Sequence, residues 1–277
     1  MTPPFVKLIS LRFLISVAVW CVVAFPLIAR PTSTLSTPVE RQGIHSSDQS
    51  IKLVFMEPTI ETSKPIYDAL QKNNDLHDFI AALSDLFLFP RPFEVRGEDC
   101  DETNYPSPSS SLPIRLCYGL IRQTALIDNG MSQDAQDSQI SAAALYSILN
   151  YLAPALVSQF DLKISEDDKP ALSELAGVLA LSVGDAIKDD TLEDLARTAQ
   201  DIATAEESQE IKPYWILSGL TAAQADTLAC MIYGSNPSRF ADLSMNEDST
   251  SVSPPCDAMF SHKMEYWSSL LDAHYKK

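Results

Sequence analysis

The stretch from Ser141 to Leu175, SAAALYSILNYLAPALVSQFDLKISEDDKPALSEL, constrains this chain more than any other. Leu145, Ile148, Leu149, Leu152, Leu156 and Phe160 recur at steps of three and four. That period is the apolar stripe of a buried helix. An acidic connection follows, and then a second helix begins. Pro154 removes one backbone donor and crowds the carbonyl of Asn150, so a kink is expected there. A chain with such a pair at its centre is expected to build its core from helices.

The rest of the composition agrees. The chain has 277 residues, 45% of them hydrophobic and 21% charged, which supports one domain with a sizeable core over residues 51–277. Its formal net charge is −17. Lys7, Arg12 and Arg30 are the only charges among residues 1–30, so the body is more acidic still. Such a surface argues against nucleic acid and against an anionic membrane face as partners.

Residues 1–30 read as a leader. Lys7 and Arg12 precede or flank an apolar run from Phe13 to Ala29. The pattern is that of a secretory signal or of a single membrane anchor. Contact with a membrane is expected only through residues 13–29, if they are retained. Residues 31–50, with Pro31, Pro38 and many Ser and Thr, read as a linker. Export makes the remaining cysteines informative. Cys100, Cys117, Cys230 and Cys256 are an even set, which in an oxidising compartment implies two bridges. Three pairings are open. Cys100–Cys117 and Cys230–Cys256 are preferred, because each closes a moderate loop rich in Pro and Ser.

Along the body, Ile51–Met56 reads as a strand. Pro65–Lys72 and Asp75–Phe87 read as helices, the second capped by Asp75. Phe93–Arg96 and Leu112–Leu116 read as short strands, followed by a helix in CYGLIRQTALI. Gly130–Ser138 reads as a polar, mobile approach to the central pair. The second central helix is expected to run on to Ile187. Later helices are expected over Leu192–Ala205 with Thr191 as cap, over Thr221–Tyr233 closed by Gly234, and over Ala258–His274.

Residues able to carry chemistry are sparse. The histidines are His45, His77, His262 and His274. His77 is expected on an exposed helix position. His262 and Glu265 share one helix face with no adjacent third ligand, which reads as a solvated face. Glu166, Asp167 and Asp168 lack the alternating acids and Gly of a calcium loop and read as a charge cluster at a helix start. There is no GxSxG elbow and no Gly-rich phosphate loop. Tyr214, Trp215 and Ile216 read as core.

Several local segments together resemble a known family. DLFLFPRPFEVRGEDC resembles its helix end, strand and first cysteine, and Cys100 with Asn104 fits its C-x-x-x-N element. IRLCYGLI resembles I-x-x-C-Y-E-L, and CMIYGSNPSRFADL resembles C-x-x-Y-G-S-x-P-x-x-F-x-x-L. Cys256 with YWSSLL resembles its terminal cysteine and Trp-bearing helix. The order and spacing of these pieces, over residues 51–277, resemble a family of exported bacterial metallopeptidases of HExxH, zincin-like type that is otherwise a domain of unknown function.

The resemblance implies an α+β fold, mainly helical and zincin-like, with a small β-sheet and disulfide links. It also implies zinc. In an HExxH helix two histidines at i and i+4 hold the metal, and the glutamate beside the first is the general base. The matching frame here is Asn150, Tyr151, Leu152, Ala153 and Pro154. The next helix, where the family carries acids, has Lys169, Pro170, Ala171, Leu172 and Ser173. Gly119 stands for the glutamate after Cys-Tyr, and Leu217 and Ser218 lie near the place of a further histidine. Asn150, Tyr151, Pro154 and Ser173 therefore mark a degenerate site. The expectation is an exported pseudopeptidase, periplasmic or secreted, without zinc or another cofactor, that binds a peptide or protein through the former substrate groove. The alternatives are an active zinc peptidase with displaced ligands and a purely structural envelope protein.

Overall fold

A computed structural model describes residues 50–100, 109–125, 130–165, 167–183, 189–208, 222–241 and 255–276. The leader, nearly all of the linker, His45, Asn104, Glu166, Tyr214, Trp215, Ile216, Leu217 and Ser218 lie outside them.

The sheet is built from three short strands. β1 is Ile51–Phe55, β2 is Phe93–Glu98 and β3 is Ile114–Cys117. β2 alternates buried and half-buried residues along its whole length, as period-two patterning requires when one face packs on a core. The order is β1-β2-β3 and both pairings are parallel, with Ile51 opposite Phe93 and Val95 opposite Ile114. Parallel neighbours need a crossover. Between β1 and β2 it is supplied by α1 (Lys64–Lys72) and α2 (Asn74–Leu86). Gly97 is required where β2 passes the core, since a Cβ there would lie 2.5 Å from the Phe55 ring and 3.1 Å from the Tyr118 ring.

After β3 the short helix α3 (Tyr118–Thr124) leads toward α4 (Gln133–Gln159). α4 begins earlier than its apolar stripe. Ser132 caps it by accepting from the Ala135 amide, and the mostly polar residues 133–139 form its first turns rather than a mobile approach. From Ile140 to Val157 every residue is buried, so the helix has no solvent face along that run. α4 packs on α1, α3, β3, α5 (Lys169–Ser182) and α6 (Asp189–Ser208). Among the described residues it alone is long and apolar enough to cross a membrane, and its apolar window is wholly buried within the fold.

A helix in the core on all sides must satisfy its own polar side chains. Ser141 Oγ donates to the Asp137 carbonyl, Ser147 Oγ to Ala143 and Asn150 Nδ2 to Tyr146, each four residues back. α4 continues unbroken through Pro154, which leaves the Asn150 carbonyl without its helical donor.

Two further helices, α7 (Ala222–Ser235) and α8 (Cys256–Leu271), close the fold. α7 packs on α5, α6 and α8. Gly234 does not end α7 as the sequence suggested. It lies inside the helix, where a Cβ would run into the carbonyl oxygen of Cys256. The close approach of the two helices, not a left-handed turn, requires glycine there. The disulfides are Cys100–Cys117 and Cys230–Cys256, with Cα separations of 5.3 and 5.1 Å, as the loop argument expected.

Other local expectations shift by a residue or more. Asn73, not Asp75, caps α2 by accepting from the Leu76 amide. Thr191 is not a cap but lies within α6, donating from Oγ1 to Asp75. α5 ends at Ser182. Leu112 and Pro113 precede β3 rather than joining it. The C-terminus adds a contact that no local pattern announced. Tyr275 forms an antiparallel bridge with Phe87, and their rings stack at 5.1 Å. His274 stacks on Phe160 at 4.2 Å, and Lys276 Nζ donates to the Ser84 carbonyl.

Candidate functional site

The positions matching the HExxH frame lie on the fully buried run of α4. Asn150 is 7% exposed and its amide is spent on Tyr146. Tyr151 is 4% exposed. Burial raises its phenol above the ordinary tyrosine range, and the nearby Arg115 guanidinium offsets this only in part. It therefore stays protonated near neutral pH and cannot act as a base. Pro154 is also buried and offers no donor atom to a metal. On α5, Ser173 is 1% exposed and donates to the Lys169 carbonyl. α4 and α5 pack against each other, but these four side chains belong to the core rather than to an open groove.

Zinc does not fit this donor set. The four positions hold an amide already bonded to its own helix, a protonated phenol, a proline ring and an aliphatic hydroxyl, none of them the imidazole, carboxylate or thiolate that binds zinc. Gly119 is buried in the first turn of α3 and has no side chain to offer. No group of three or more His, Cys, Asp or Glu able to hold a metal exists among the described residues.

The histidines are dispersed. His77 is half-buried rather than exposed, edge-on to the Phe55 ring at 5.9 Å. His262 and Glu265 are both exposed on the outer face of α8, as a solvated face should be. Asp168, the last of the acidic run, caps α5 by accepting from the Ala171 amide.

Two features escaped the sequence reading. At the carboxyl ends of the strands, the Tyr118 hydroxyl shares its one proton between the carbonyls of Met56 and Gly97, at 2.6 and 2.9 Å. Beside it, Asp99 Oδ2 accepts from the Thr59 and Ile60 amides and from Thr59 Oγ1, pinning the loop after β1. Burial works against the charge of Asp99, but hydrogen bonds from Ser63, Ile60 and Thr59 outweigh it and hold the carboxyl below the ordinary carboxylate range. The tyrosine after a strand cysteine was the available signal for the first contact.

The second feature is a cavity of about 280 Å³ where the α1–α2 junction meets the starts of α4 and α6. Asp75, Asp137, Asp190 and Asp194 line it, with Lys72 the single basic residue on its walls among the described residues. Each carboxylate already has a donor. Thr191 Oγ1 serves Asp75, Gln133 serves Asp137, the Thr191 amide serves Asp190 and Ser138 serves Asp194.

A family model described as "Putative metallopeptidase" matches residues 55–271. No curated protein and no solved structure matches the chain.

Proposed function

The chain belongs to the putative metallopeptidase family, and we propose that it is a non-catalytic, exported member that works by binding a peptide or protein. One observation carries the first part. The helix that should present two histidines and a glutamate presents Asn150, Tyr151 and Pro154, all turned to core packing. Such a helix contributes stability and shape, and supplies neither a Lewis acid site nor a base.

Two disulfides fit an oxidising compartment. Together with the basic, then apolar, pattern of residues 1–30 they support export to the periplasm or the cell exterior. A partner would meet the surface beside the former ligand positions, not those side chains themselves. Arg115 on β3 is the exposed residue whose charge reaches Tyr151, with about half of its side chain accessible and an ion pair to Glu98.

Cleavage of a peptide library by the purified chain, with and without added zinc, tests the reading. No chelator-sensitive hydrolysis is expected, and such hydrolysis would overturn it. The same library, arrayed for binding, should show sequence-selective retention that weakens in Arg115→Glu. Retention of no peptide would favour a purely structural envelope protein.

A further inference from the structure

We draw no further inference here: the strongest candidate, the acidic cavity between the α1–α2 junction and the starts of α4 and α6, is a cluster of carboxylates already served by neighbouring hydroxyl and amide donors, and nothing else among the described residues points to a ligand for it.

Discussion

At the scale of single residues, several side-chain polar groups hold the chain to itself. Asp99 is the sharpest case. Its carboxylate holds two backbone amides and a hydroxyl of the loop after β1. Truncation to alanine hands those exposed donors back to water and should cost about 1 kcal/mol near pH 7. The folded-state carboxyl is depressed, so its contribution is complete above the ordinary carboxylate range and is lost as pH falls through the folded value. Urea midpoints of wild type and Asp99→Ala should differ near pH 7 and converge on acidification. Equal midpoints near pH 7 would remove Asp99 from the account. Asn150 teaches a related lesson. Its lack of an imidazole was legible in the sequence, but its bond to Tyr146 was not, because back-bonding is a consequence of complete burial.

At the scale of elements, what local pattern could encode was readable and what distant contact decides was not. The helical step of α4 was visible because its large apolar side chains recur at three and four, although the fold buries the residues between them as well. The first turns of α4 were misread as mobile because they are polar, yet polarity there only marks the solvent-facing start of a capped helix. Gly234 was read as a helix stop, whereas the carbonyl of Cys256 from another helix makes it necessary. Gly234→Ala should therefore destabilise by about 1–3 kcal/mol through overpacking, seen as a lowered Tm with the disulfide intact. A variant as stable as wild type would show that α7 and α8 can separate freely. The C-terminal clasp was invisible for the same reason, since Tyr275 and Phe87 are joined only by the fold. Tyr275→Ala should cost about 1–3 kcal/mol by loss of the stacked ring and its burial. Thermal unfolding checks this, and an unchanged Tm would mean that the tail adds nothing.

At the scale of the whole molecule, a small parallel sheet and a bundle around α4 are stapled at two places by disulfides. Loops of this size imply about 3 kcal/mol from each bridge by loop-closure entropy. Replacing Cys230 and Cys256 together by serine should lower stability by about that much, while an unchanged urea midpoint would make the bridge incidental. The family scaffold was legible over most of the chain, and the match to residues 55–271 agrees with it. For the site, the sequence offered residue types at four positions and not their burial. That the four marked positions lie inside the core, not along a groove, depends on helices wrapping α4 on every side. The central claim is that this framework has no grip on a divalent cation. Elemental analysis of the full chain, purified without chelator and dialysed against zinc-buffered solution, measures it most directly. Zinc well below one equivalent per chain is the predicted result, and one equivalent that survives dialysis and leaves only with a strong chelator would contradict it.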